Sequence, residues 1–247
     1  MTNETIITPD MALPDGVHAA VTTRLDGAGQ GAFAAFNLAD HVGDDPVAVA
    51  TNRAHLIERL QLPAEPSWLE QVHGTTVVAA EEGPGQTGDA VVARAPGAVC
   101  AVLTADCLPV LFSDTSGRVV AAAHAGWRGL AAGVLEETIA AMAVDPATIR
   151  AWLGPAIGPD AFAVGEEVRA AFIAHDPAAA EAFHVTAEGA LHGDLWLLAR
   201  QRLTAAGVAT ITGGGLCTVA DPQRFYSHRR DNGVTGRMAS LIWTGIL

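Results

Sequence analysis

Three side chains in this sequence could share one metal ion: His73, Cys107 and His124. Imidazole nitrogen and cysteine thiolate are the ligands zinc prefers, and a catalytic zinc takes three protein ligands and keeps a fourth position open. His73 lies 34 residues before Cys107, and Cys107 lies 17 before His124. Zinc fingers and ribbons pair ligands two to four residues apart, so this spacing points to a site assembled from the ends of separate strands. His73 precedes Gly74, His124 sits in Val119–Leu130 (VVAAAHAGWRGL), and Cys107 breaks two apolar runs between Asp106 and Leu108-Pro109. Glycines beside His73 and His124 would let backbone approach closely. The same residues allow a metal-free alternative, with Cys107 as nucleophile and His124 or His73 as its base. Cys100, inside an apolar run, reads as a small core residue.

Further candidates lie around these three. Asp106, Asp89 and His41 could move a proton; His41 shares a polar stretch with Asn37 and Asp40. Ser227 to Arg237 carries Arg229, Arg230 and Arg237, a concentration of arginines in a chain of net charge −13. Arginine forks hold phosphate or carboxylate through two hydrogen bonds, and Arg128 adds a further arginine beside the turn after His124. Pairing of these arginines with the surplus carboxylates is the plainer alternative.

To position such a site the chain must supply short strands and turns in the right order. The sequence predicts strands over 18–23, 68–72, 75–80, 90–93, 99–104, 109–112, 119–123, 148–153 and 208–211, and a closing segment over 238–247. Apolar spacing predicts helices over 47–60, 129–142, 164–175 and 194–206, with Gly207 stopping the last. His124 is expected on the turn after strand 119–123. Several strands follow one another without helices, which argues for mixed sheets and an α/β (α+β) layered fold rather than a regular doubly wound one. The glycine-rich stretch 24–31 is a loop, not a dinucleotide fingerprint, because it lacks a strand–turn–helix setting. No linker, charge block or repeat divides the chain, so one domain over 1–247 is expected.

Composition narrows the chemistry. Half of the 247 residues are hydrophobic, enough for a sizeable core. All 14 basic residues are arginine, which excludes Schiff-base lysines and the lysine of a Walker loop. The negative charge disfavours nucleic acid and anionic membranes as partners. Three cysteines and a polar, acidic start suggest reduced thiols, a cytoplasmic location and no signal peptide. No apolar run reaches the roughly 18 residues of a membrane span, and a monomer is expected.

QVHG at 71–74, TADCLPVLF at 104–112, HAGWRGL at 124–130, GPAIGP at 154–159 and FYSHRRDNGVTGRMAS at 225–240 resemble the YfiH-type family, the laccase-domain proteins. NLADHVGDDP at 37–46, NR at 52–53 and the Gly88-Asp89-Ala90 turn extend the resemblance to nearly the whole chain. It implies a compact single-domain layered α/β fold with mixed sheets, and metal ligation by His73, Cys107 and His124. It implies purine nucleoside phosphorylase activity on adenosine, inosine and methylthioadenosine, with adenosine deamination beside it. It also implies a role in editing peptidoglycan precursors and, from an older label, copper-dependent polyphenol oxidation. Ala93 departs from the family's usual threonine.

The expected site therefore comprises His73, Cys107, His124 and Asp106 as catalytic groups, with Asn37, His41, Gln71, Arg128, Arg229 and Arg230 around substrate. Zinc is the expected metal and copper the alternative. Multicopper oxidation needs roughly ten histidines, many in His-X-His pairs; this chain has nine histidines and no such pair. A metal-free cysteine hydrolase acting on cell-wall precursors and a purely structural metal remain the competing readings.

Overall fold

A computed structural model describes residues 5–245. In chain order its strands are β1 Ile6–Ile7, β2 Val17–Thr22, β3 Leu69–Glu70, β4 Val77–Ala79, β5 Gln86–Thr87, β6 Ala90–Ala93 and β7 Val99–Thr104. They continue as β8 Leu108–Asp114, β9 Val120–Ala125, β10 Ile149–Leu153, β11 Phe183–Val185, β12 Leu191–Gly193, β13 Thr210–Gly213 and β14 Met238–Thr244. The α-helices are α1 Pro46–Leu60, α2 Trp127–Ala132, α3 Val134–Met142, α4 Glu166–Ile173 and α5 Leu195–Ala205.

Two sheets stack. The larger has the order β13-β10-β8-β9-β6-β4, and the smaller β1-β2-β14-β7. The smaller is antiparallel throughout. The larger is mixed: its outer pairs β10·β13 and β4·β6 are parallel and the three pairs between them antiparallel. Side-chain alternation along β9 explains the layering. Val120 and Ala122 face Val21, Val102 and Ile242 of the smaller sheet. Ala121, Ala123 and Ala125 face Leu130, Leu135 and Leu203 of the helices. Both faces are buried, so residues 119–123 read as an unbroken apolar run. The outer face of the smaller sheet packs on Leu56 of α1 together with Phe36, Leu38 and Trp68. The result is a helix–sheet–sheet–helix stack, the layered α/β architecture expected.

Several elements differ from the sequence reading. Strand β9 runs through His124, so this histidine belongs to the strand and not to the turn after it. The helix expected over 129–142 is two helices, because Gly133 takes φ +107° and closes α2 before α3 begins. The strand expected over 68–72 shrinks to two residues and that over 75–80 to three. The backbone of residues 72–74 instead turns to meet a carboxylate. Helix α4 covers Glu166–Ile173, inside the longer span expected. The stretch 24–31 is held by specific bonds: Arg24 reaches Ala34 O, and Ala28 N donates to Asn52 Oδ1. Of the closing segment expected over 238–247, the last two residues lie outside those described. Among the described residues no helix is long and apolar enough to cross a membrane.

Candidate metal centre and its cavity

The pairing register of the larger sheet brings two of the three candidate ligands together. Leu108 pairs with Ala125 and Pro109 with His124. Cys107, one residue before β8, therefore stands diagonally across from His124 near the end of β9. Ala90 pairs with Ala123 on the other side of β9, which sets Asp89 beside His124. His73 comes from the loop after β3. The ligating atoms of His73, Cys107 and His124 lie within 4.8 Å of one another. Cys107 Sγ is 3.8 Å from His73 Nε2, and the two imidazoles meet edge to face at 4.8 Å.

One buried carboxylate organises the cluster. Asp89 is fully buried. Its Oδ1 lies 2.8 Å from His124 Nδ1, and the backbone N–H of His124 donates to Asp89 O at 2.7 Å. The same carboxylate accepts the backbone N–H groups of Val72, His73 and Gly74 at 3.2, 2.8 and 2.6 Å. Holding that turn puts His73 in the left-handed region, at φ +62°. Asp89 thus orients one ligand by its ring and another by its backbone, leaving His124 Nε2 turned to the cluster. A carboxylate behind a ligating histidine is a usual support of zinc sites. Burial pushes the Asp89 carboxyl up, but the bonds from His124, Gly74 and His73 outweigh it and hold it below the ordinary aspartate range.

The thiol and the imidazole shift each other. Burial raises the Cys107 thiol, yet the charge and hydrogen bond of His124, with His73 behind them, bring it down to about 6. Burial likewise lowers His124, while Cys107 and Asp89 raise it further. The cluster therefore favours a thiolate, the form a metal requires. Space is matched as well. A Cβ at Gly126 would lie 2.8 Å from His73 Cδ2 and 3.0 Å from Cys107 Sγ, so only glycine leaves both ligands in place. Donor chemistry, mutual distance and the supporting carboxylate all fit a single metal ion, and this is the one such group among the described residues.

The cluster opens into a cavity of about 410 Å³, within the range of small-molecule sites. Trp127, Ile157, Phe162 and Leu195 supply apolar wall; His41, Arg128, Arg229, His228 and Arg237 supply polar groups. The sequence candidates divide here. His41, Gln71, Arg128 and Arg229 line the cavity. Gln71 spends its amide on Leu103, donating to its carbonyl and accepting from its N–H, both at 2.8 Å.

Arg230 does not line the cavity. Its guanidinium donates to Thr218 O, Phe225 O and Asp231, because the turn around 227–231 directs it inward to the loop's own backbone. Asn37 also lies outside. It is fully buried, bridges Ala39 and Asp44, and accepts the backbone N–H of Arg237 at 2.9 Å. Asp106 borders the cavity at φ +87°, but its carboxylate already accepts from Thr218 Oγ1 (2.5 Å), Ser227 Oγ (3.0 Å) and Arg229 N (2.6 Å). These bonds tie the arginine-rich loop to the turn before β8. Sequence reasoning missed the joining role of Asp89 and weighed it only as a proton carrier. The signal was present: an acid at the foot of a strand two places from one candidate ligand's partner run.

A layered mixed α/β scaffold with one thiolate–bis-imidazole cluster at the floor of a cavity defines a candidate metalloprotein. The chain belongs to the YfiH-type laccase-domain family: the family described as multi-copper polyphenol oxidoreductase laccase matches residues 18–245. It is similar to a purine nucleoside phosphorylase of Pseudomonas aeruginosa, 53% identical over 96% of this chain and 97% of that protein. It is also similar to purine nucleoside phosphorylase YfiH of Escherichia coli, 50% identical over 96% of this chain and 98% of that one. Among solved structures, a Neisseria meningitidis protein superposes with a TM-score of 0.94 at 49% identity, covering 98% of this chain and all of the other.

Proposed function

We propose that this chain is a purine nucleoside phosphorylase that works in the cavity above the His73–Cys107–His124 cluster. The observation that carries the reading is the composition of that one cavity. Apolar walls suited to a purine ring, arginines suited to phosphate and a metal-ligand set at the floor stand in a chain about half identical, along its length, to proteins named for this activity. Adenosine, inosine and methylthioadenosine are the proposed nucleosides, with adenosine deamination as a companion activity.

Zinc is the proposed metal. A blue-copper centre uses the same Cys and two His but adds a weak axial ligand, commonly Met; no methionine lines this cavity among the described residues. Held by the three ligands, zinc supplies Lewis-acid polarisation at the cavity floor. The protein's own groups do the rest. Trp127 and Phe162 offer aromatic surface to the base, and the cavity arginines hold the anion where its negative charge must approach the sugar. Arg128 stacks on Trp127, with its guanidinium 4.4 Å from the ring centre, so the base wall and a cation adjoin.

The test is product analysis with each nucleoside, with and without phosphate, alongside metal analysis of the purified protein. Free base released only with phosphate, and zinc near one per chain, is the expected result. Absence of phosphate-dependent base release from every nucleoside overturns the proposal. A second reading, a metal-free cysteine hydrolase of cell-wall precursors, draws support from the lowered Cys107 thiol. It requires activity that survives chelator and is lost on alkylation of Cys107.

A further inference from the structure

Four arginines stand in or near the cavity, and their commitments differ. Arg230 is held by Asp231 and by carbonyls outside it. Arg229 lines the wall, but its guanidinium donates to Ala161 O at 3.2 Å and Ala163 O at 3.1 Å and lies over Phe162. Arg128 is exposed and stacks on Trp127. Arg237 is different. It is half-buried, lines the cavity, and forms no ion pair with a carboxylate among the described residues.

Its geometry is fixed from three sides. Asn37 Oδ1 accepts its backbone N–H, and Nη1 donates to Thr235 O at 2.8 Å and Gly236 O at 3.0 Å. A Cβ at Gly236 would come within 2.9 Å of Asn37 Cβ and 2.7 Å of the Tyr226 ring, so the loop beneath it is packed closely. The anchoring bonds use Nη1 alone. Nε and Nη2 make no hydrogen bond among the described residues, and together they form one edge of the planar fork. The one carboxylate near it that lines the cavity, Asp106, is engaged by three donors of its own. Burial lowers the Arg237 guanidinium, while the charges of Cys107 and Asp106 act to raise it; neither forms an ion pair with it, so a partly desolvated guanidinium with a free two-donor edge is suited to bind an oxyanion bidentately. In a chain of net charge −13 the phosphate needs such a local cation.

We infer that Arg237, rather than Arg229 or Arg230, is the residue that anchors inorganic phosphate in this cavity, with its Nε–Nη2 edge. This rests on the phosphorylase reading for its catalytic consequence. In that reaction an oxygen of hydrogen phosphate forms the bond to the anomeric carbon while the carbon–nitrogen bond to the purine breaks. The bonding pair leaves with the base nitrogen, and the proton of hydrogen phosphate ends on the base. The products are the sugar 1-phosphate and the free purine. Arg237 holds the attacking dianion and takes no proton.

The test uses the full-length protein with its metal, inorganic phosphate as probe, and the variants Arg237→Gln and Arg237→Lys. In the wild type, phosphate should protect Arg237 from phenylglyoxal, read by mass spectrometry of the modified peptide. In Arg237→Gln the KM for phosphate should rise about 10- to 100-fold, with the nucleoside KM, metal content and circular dichroism little changed. Arg237→Lys, which keeps a charge but loses the fork, should fall between. Unchanged phosphate KM in a folded Arg237→Gln, or absence of protection while phosphate supports turnover, overturns the inference. If Arg237→Gln fails to fold, the protection measurement and the lysine variant decide. If the wild type releases no base with phosphate, the functional reading fails; phosphate protection of Arg237 then still upholds the anion site, and its absence removes that as well.

Discussion

The floor and the rim of the cavity are built by opposite means. At the floor, His124 and Cys107 are placed by strand register, and Asp89 locks the third ligand's turn through backbone N–H groups. At the rim, Arg128, Arg229 and Arg237 are long side chains oriented by ring faces and carbonyls. A strand position is shared by every neighbour in the sheet, so the floor cannot shift without cost to the core. Each rim arginine is set by its own few contacts, so each can change alone. The lesson is that geometry of ligation is fixed by the fold, whereas the anion and substrate preferences are adjustable on top of it.

Substitutions that break the floor should have the largest effects. Cys107→Ala should abolish stoichiometric zinc and lower phosphate-dependent base release well beyond the roughly 100-fold expected for losing a mere supporting group. Its circular dichroism should stay near wild type, because Cys107 lies before β8 and outside the packed core clusters. Turnover retained at wild-type level would detach the cluster from the reaction.

Next comes the joint between ligands. Asp89→Asn keeps the shape but removes the charge and half the accepting capacity facing His73, Gly74 and His124. Metal affinity should fall about 10- to 100-fold, measured by competition with a chromophoric chelator. Because the site is buried, stability should also drop by about 1–3 kcal/mol. A metal affinity equal to wild type would show that the cluster needs no supporting carboxylate.

The smallest effect concerns the loop carrying the rim. Burial raises the Asp231 carboxyl, but its bonds with Arg230 and Thr235 prevail and hold it below the ordinary range. A depressed carboxyl contributes stability that is complete above the unfolded value of about 4 and is lost as pH falls through the lower folded value. Asp231→Asn should therefore cost about 1 kcal/mol at neutral pH and flatten part of the stability loss seen in wild type on acidification below about pH 4. Urea unfolding at pH 7 and pH 3 measures both. An equal acid sensitivity in the two proteins would mean the loop is held by its backbone contacts instead.

Much of this arrangement was legible beforehand, and the exceptions are informative. The run VVAAA marked a doubly buried strand because apolar residues without alternation need cover on both faces, and β9 has it. It did not mark where the strand ends, since a histidine that finds a buried carboxylate is as compatible with a strand as a valine is. The break at Gly133 was hidden for a related reason: glycine within an apolar helical pattern does not state its φ. Arg230 looked equivalent to Arg229 in the sequence, and Arg237 was not among the residues expected around substrate. Only the turn around 227–231 separates the one facing the loop from the two facing the cavity.

The sequence by itself determined the chemical inventory: one thiol and two imidazoles with metal-binding character, arginine as the sole strong cation, and a layered α/β order of elements. It did so because residue chemistry and hydrophobic period are local properties. The tertiary structure decided which groups meet. Cys107 and His124, 17 positions apart, become neighbours through strand register, and His73, 34 positions before Cys107, joins them through its turn on Asp89. Asp89 becomes the support of two ligands only because β6 pairs beside β9. The free edge of Arg237 exists only because Asn37, 200 positions away, and its own loop carbonyls hold the rest of the residue in place.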